Sequence, residues 1–174
     1  MCTRFYELAF KDKVLQTFMF DDDGAEAHGK RLSDWIAEKM GLPGMRWTRT
    51  RPPHSRQRSH VRAWNSAKRE PHKRGRHFKL DDCRVWMRLM FLAGRSEGLH
   101  EHPAFWDWYV RFISHFVRVY DRAAPAFARE ADAWAADEGA VAAYKAGPRE
   151  MDDVVGLTAG EAMEAMPAHL RDAS

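Results

Sequence analysis

At 174 residues, with 45% hydrophobic and 12% aromatic side chains, the chain has material for one ordinary core and is too apolar to be disordered throughout. Its two cysteines, Cys2 and Cys83, exclude a disulfide framework or a cysteine-rich zinc site. The longest apolar stretches, 85–93 and 105–120, are broken by Arg88 and by Asp107, Arg111, His115 and Arg118, so no membrane span is expected.

The net charge of +3 conceals a strong asymmetry. Residues 45–79 hold 12 Lys/Arg against the single Glu70, a local charge of +11, while the remainder holds 16 against 24, or −8. Within that remainder, residues 121–174 count 5 against 11. Arginine outnumbers lysine 9 to 3 inside the basic stretch and 11 to 5 outside it, so charge density, not arginine preference, sets the stretch apart. The first twenty residues mix Glu7 and Asp12 with Arg4, Lys11 and Lys13. That is neither a secretory signal nor an acid-free transit peptide, and an intracellular, reducing compartment is expected, mitochondrial or cytoplasmic.

In chain order, residues 1–44 read as a hairpin followed by a helix. The aromatic, partly alternating run RFYELAFKDKVLQTFMF predicts strands near 4–10 and 14–20 around Lys11-Asp12-Lys13, since a helix would scatter its apolar residues all round. Asp21-Asp22-Asp23-Gly24 reads as a turn or capping cluster. As a calcium loop it would put Met19 at the first ligand position. Leu32, Trp35, Ile36 and Met40 share a face of a helix over 28–40, stopped by Gly41-Leu42-Pro43-Gly44.

Residues 45–79 show neither helical nor strand period and carry Pro52-Pro53 and Pro71. With few aliphatic side chains they are expected to form a long, extended basic arm ordered by a partner, with room for a short helix around 59–69. A helical core over 80–146 follows. Val85, Trp86, Leu89, Met90 and Ala93 define a helix over 82–93 capped by Asp81 or Asp82. Phe105, Trp106, Tyr109, Phe112, Ile113, Phe116, Val117 and Tyr120 define another over 103–123, opened by Pro103 and ended by Pro125. That aromatic stripe reads as core rather than as a membrane-surface face. Alanine-rich helices are expected over 126–137 and 139–146. An acidic C-terminal tail over 147–174 carries a short helix at 159–166 with a capping box at Thr158 and Glu161. The fold class expected is α-dominant: a small helical bundle with a basic arm and an N-terminal β-hairpin.

The basic segment is the sharpest functional signal. Cations every two to four residues neutralise several phosphates at once and release their counterions. Arg46, Arg49, Arg51, Arg56, Arg58, Arg62, Lys68, Arg69, Lys73, Arg74 and Arg76 have that spacing. Trp47 and Trp64 supply rings to stack on bases, and His54, His60, His72 and His77 further donors. This layout is similar to that of ribosomal proteins, mitochondrial ones especially, in which a small helical body sits on the surface and a basic extension threads into folded RNA. The resemblance is one of charge distribution, covers about a fifth of the chain, and implies a structural role beside RNA, ribosomal RNA foremost, and neighbouring subunits.

Other constellations carry less. His100-Glu101-His102 is the most metal-like fragment, and Asp107 and His115 on the polar side of the following helix could converge with it, but the spacing is incomplete for a zinc site, so a helix-entry loop and no metal are expected. Ser114 and His115 are adjacent on a helix, so their side chains diverge by about 100°. Cys83 reads as a small core residue. Nucleotide-binding and hydrolase motifs are missing, and no cofactor is called for. The expectation is a non-catalytic RNA-binding subunit of a large ribonucleoprotein. The alternative is an accessory subunit of a protein assembly such as a mitochondrial respiratory complex, its arm laid over acidic neighbours.

Overall fold

The computed structural model describes residues 1–20, 23–44 and 46–171. Ten α-helices order these residues, and among them there is no strand. They are α1 (Cys2–Ala9), α2 (Gly24–Lys39), α3 (Arg46–Thr50), α4 (Ser55–Trp64), α5 (Leu80–Ser96), α6 (Pro103–Val117), α7 (Ala128–Ala136), α8 (Glu138–Ala146), α9 (Ala159–Ala165) and α10 (Ala168–Arg171).

Helix α5 is the axis of the fold and packs against α1, α6 and α7. Val85, Met87, Leu89, Met90, Phe91, Leu92 and Ala93 are all buried, which places apolar side chains around its whole circumference. Arg84 and Arg88 interrupt that surface one turn apart, and both are buried. Arg88 donates to Glu130 of α7 and, at 3.0 and 2.6 Å, to Asp153, while Arg84 lies 3.5 Å from Glu130. Charges this deep persist only when paired.

The hairpin expected over 4–20 is overturned. Residues Cys2–Ala9 are helical and Leu15–Phe18 form a 3-10 turn. The reason lies in packing: α1 contacts both α2 and α5. A helix covered on two sides carries apolar residues on both, so the scatter around its wheel that favours a hairpin is the mark of a sandwiched helix. Phe5, Leu8 and Ala9 are buried, and Tyr6 and Phe10 pack on the His28 ring of α2. The approach to α2 is close enough to need Gly29, whose added Cβ would stand 2.6 Å from the Thr3 Cα. Past α1, Asp12 is fully buried and accepts from the backbone N–H of Val14 (2.9 Å) and Leu15 (2.8 Å) and from the Tyr144 hydroxyl (2.9 Å).

Helix α2 begins at Gly24, earlier than the sequence predicts, and its expected inward face is only partly covered: Ile36 is buried but Met40 is exposed. Asp23 precedes it and pairs with Arg31 and His28. Asp21 and Asp22, the rest of the expected turn cluster, lie outside the described residues.

Helix α6 opens at Pro103 and buries Trp106, Tyr109, Val110, Ile113 and Val117. It stops at Val117 rather than running to 123, because the Asp121 carboxylate accepts from the Ala123 N–H (2.8 Å) and Pro125 follows. Asp132 of α7 ties the layers together, accepting from Arg95 of α5 (2.9 and 2.7 Å) and from the Trp106 indole (3.0 Å). The expected box at Thr158 and Glu161 caps α9, and Met151, Val154, Ala162 and Met166 insert into the core.

Candidate functional site

The basic segment is folded onto the body. Helix α3 is held where Glu38 of α2 accepts from both the Thr48 N–H (2.9 Å) and its hydroxyl. After Pro52-Pro53, His54 adopts a left-handed conformation (φ 61°) and α4 begins. Its inward stripe is Arg56, His60 and Ala63, at helical spacing. Its outward side carries Arg58, Val61, Arg62 and Asn65, all exposed. An arginine, a histidine and an alanine make no hydrophobic stripe, which is why periodicity misses this helix. The aromatic rings that cover them come from elsewhere. Arg56 lies over Trp35 at 4.4 Å and donates to the Tyr120 hydroxyl, and His60 packs edge-on against Phe78 and Tyr120.

Residues 64–76 close into a knuckle built by arginines. Arg69, 7% exposed, donates to the carbonyls of Trp64 (2.8 Å) and Arg76 (2.7 Å) and lies over Phe18 at 4.5 Å. Arg74 donates to the carbonyls of Arg69 (3.0 Å) and Ala67 (2.8 Å), and the Gly75 N–H donates to Trp64 (2.9 Å). Trp64 stacks on His77 with ring centroids 4.1 Å apart. Carbonyl oxygens, not carboxylates, accept the hydrogen bonds of these guanidiniums.

The structure therefore divides the sequence-predicted RNA-binding residues in two. Arg46, Arg49, Arg58, Arg62, Lys68, Lys73, Arg74 and Arg76 are exposed. Among the described residues, Arg46, Arg49, Arg58, Arg74 and Arg76 have no carboxylate within ion-pair distance, while Lys73 pairs with Glu70 at 3.3 Å. The other five turn to internal contacts. Arg69 is buried, Arg56 faces inward, Arg51 lies over Trp47 at 5.8 Å, Trp47 lines a cavity, and Trp64 is partly covered by His77 and Phe78. The two tryptophans thus help to hold the segment on the body.

Beneath α4 lies a cavity of about 230 Å³, partly open to solvent and predominantly apolar. Its walls draw on residues from Phe5 to Tyr120, with Trp35, Phe78, Trp86, Phe112 and Phe116 among the rings. Its polar groups include His60, Arg56, Tyr120, Asp82, Cys83 and Tyr6. Burial, with Arg56 nearby, pulls His60 down to about 4, so its ring is neutral at pH 7. Burial lifts Asp82 to about 6 against the pull of the Lys79 N–H, which it accepts at 2.8 Å at the start of α5. Burial, reinforced by nearby acids, also pushes the Cys83 thiol up, so little thiolate exists there.

The histidine-rich fragment does not assemble. Asp107 is engaged by Arg111 (2.8 Å) and by Arg129, His102 and His115 are exposed, and the buried His100 Nδ1 has no hydrogen-bond partner. Among the described residues no group of three or more His, Cys, Asp or Glu side chains is placed to hold a metal ion. Nor is any helix among them long and apolar enough to cross a membrane. No protein-family model, no curated protein and no solved structure matches this chain.

Proposed function

We propose that the protein is a non-catalytic, RNA-binding structural subunit of a large ribonucleoprotein, ribosome-like and of cytoplasmic or mitochondrial residence. One observation carries the reading: Arg46, Arg49, Arg58, Arg74 and Arg76 are exposed on one segment with no carboxylate at ion-pair distance among the described residues. Elsewhere the carboxylates Glu130, Asp132 and Asp153 are engaged with arginines of the body. Cations fixed on a folded frame lose less entropy on meeting phosphates than cations on a free chain. A raised Cys83 thiol and a neutral His60 form no activated nucleophile, which fits a role without chemistry.

The test is fluorescence anisotropy with labelled single-stranded RNA across a salt series. Six phosphate contacts give a log–log slope of about −4. Replacing Arg58 and Arg76 by glutamine shortens that slope by about 1.4, at roughly 0.7 per contact. A protein that ignores RNA at low salt, or a slope untouched by the double variant, overturns the reading. Deleting the segment is the wrong experiment, because α4 is a wall of the cavity.

A second reading, an accessory subunit docked on other proteins, has its own support. Phe105, Trp108, Phe112 and Phe116 form a row of contacting rings along α6, Trp108 stacked on Phe112 and 36% exposed. Large rings of this kind anchor protein interfaces. The absorbance ratio at 260 and 280 nm of the native assembly separates the two, since only a ribonucleoprotein is rich in nucleic acid.

A further inference from the structure

The cavity under α4 is independent of the outward cations and poses a separate question: what fits it. Its size is the first constraint. An engineered apolar cavity of roughly 150 Å³ admits benzene. At about 230 Å³ this one has room for a fused bicyclic ring. The shape of its lining is the second. Trp35 meets Phe116 edge-on with centroids 4.8 Å apart, and Phe78 meets Tyr120 in the same way at 5.4 Å. Walls built from ring faces and edges favour a flat aromatic body.

The polar end of the cavity fixes the sign of the ligand's charge. Arg56 can only donate, so the Tyr120 oxygen accepts from it. The Tyr120 hydroxyl proton is then directed to His60 Nδ1, 3.4 Å away. A neutral imidazole accepting at Nδ1 carries its proton on Nε2, so His60 also presents a donor. The remaining Arg56 N–H groups and His60 Nε2 have no hydrogen-bond partner among the described residues. Among the described residues Asp82 is the carboxylate in the lining, and it accepts from the Lys79 N–H at the start of α5, with Lys79, Asp81, Arg69 and Cys83 as its charged and titratable neighbours. A cation and a donor meet at Tyr120, and among the described residues no carboxylate pairs with either.

We propose that this cavity is a binding site for a small, flat aromatic carboxylate, its ring between Trp35, Phe78 and Phe116 and its carboxylate on Arg56 and His60. Arginine suits the task because its planar fork matches both oxygens of a carboxylate. Burial of the ring supplies most of the affinity, and the ion pair supplies the selection for an anion.

The experiment is isothermal titration of the full chain at pH 7 with 2-naphthoate and with its neutral isostere 2-naphthamide. The expected result is one saturable site that takes the naphthoate at least tenfold more tightly than the amide. Arg56→Gln removes that preference and leaves amide binding within about threefold, whereas Arg58→Gln, outward on the same helix, leaves the preference intact. Ala63→Phe fills the cavity and removes binding of both ligands. Far-UV circular dichroism checks each fold. Should Arg56→Gln unfold, Tyr120→Phe takes its place, because it breaks the relay between Arg56 and His60 and lowers the preference. Should Ala63→Phe unfold, Ser59→Phe on the same wall replaces it. Absence of saturable binding, binding at many weak sites, or an anion preference that survives Arg56→Gln overturns the assignment. None of these outcomes depends on RNA binding.

Discussion

The Arg69 guanidinium bridges two backbone carbonyls twelve residues apart, donating to Trp64 at 2.8 Å and to Arg76 at 2.7 Å. The most basic stretch of the chain is thus closed by one of its own cations. Arg69→Ala leaves both carbonyls without that donor and uncovers Phe18, with an expected loss of about 3 kcal/mol in urea denaturation, as charged hydrogen bonds of this kind are worth roughly 1.5–3 kcal/mol each. Arg69→Lys recovers only part of it, since a strongly hydrated ammonium replaces poorly the flat guanidinium over Phe18. Arg76→Gln, whose side chain is exposed, changes stability by less than about 0.5 kcal/mol.

The buried ion network separates an essential member from a dispensable one. Glu130 faces Arg84 and Arg88 together, and Glu130→Ala takes the paired carboxylate from the buried Arg84 and leaves Arg88 with Asp153 alone, costing roughly 3–5 kcal/mol. The buried Arg84 Nε and Nη1 have no hydrogen-bond partner. Arg84→Met removes that unmet demand while keeping volume over the Phe127 ring and leaving Glu130 paired with Arg88. Its stability in thermal denaturation is expected within about 1 kcal/mol of the parent, or above it.

Two cavity groups respond to acid in opposite senses. His60 is held near 4 in the folded protein against an ordinary 6.5, so its contribution is complete above pH 6.5 and is lost as pH falls towards 4. Asp82 is held near 6 against 3.8, so its contribution is complete below 3.8 and is lost as pH rises towards 6. Between pH 4 and 6 the slopes offset each other. Denaturation midpoints of Asp82→Asn therefore fall on acidification through this window, while those of His60→Gln rise. Parallel profiles for both variants and the parent refute the pairing.

Gly29 sets how closely α1 and α2 approach. A Cβ there would meet the Thr3 Cα and N at 2.6 Å, and backbone cannot step aside as a side chain does. Gly29→Ala gains about 1 kcal/mol of helix propensity yet forces the helices apart, for an expected net loss of about 1–3 kcal/mol in chemical denaturation.

The two thiols are expected to react slowly. Burial raises Cys2 to about 11 against the opposing pull of the N-terminal ammonium, and Cys83 is pushed higher still. In native protein at pH 8 a thiol-specific disulfide reagent finds almost no thiolate, and both cysteines report promptly once denaturant is added.

How much of this was legible in the sequence depended on what each helix packs against. Helices α5 and α6 announce themselves because their inward residues are large, apolar and three or four apart, as Val85, Leu89 and Tyr109, Ile113 are. Helix α1 escapes that logic because it is covered by two neighbours, and the same Phe5, Tyr6 and Phe10 that make it resemble a strand are what it packs with. Helix α4 escapes it from the opposite side, turning a half-buried histidine and arginine inward under rings supplied by Trp35, Phe78 and Tyr120. The charge of 45–79 could be read directly. Which of its cations point outward could not, because that depends on carbonyls and rings distant in the chain. The cavity has no linear signature, since its walls draw on residues from Phe5 to Tyr120.

The hydrogen bond from the Tyr144 hydroxyl to Asp12 spans 132 positions. During synthesis the segment around Asp12 leaves the ribosome long before Tyr144 is made, and Lys13 must wait likewise for Arg149 and Glu150. A nascent chain therefore cannot complete the contacts of Asp12 and Lys13 until some 150 residues have emerged, and the turn after α1 stays unlocked for that interval.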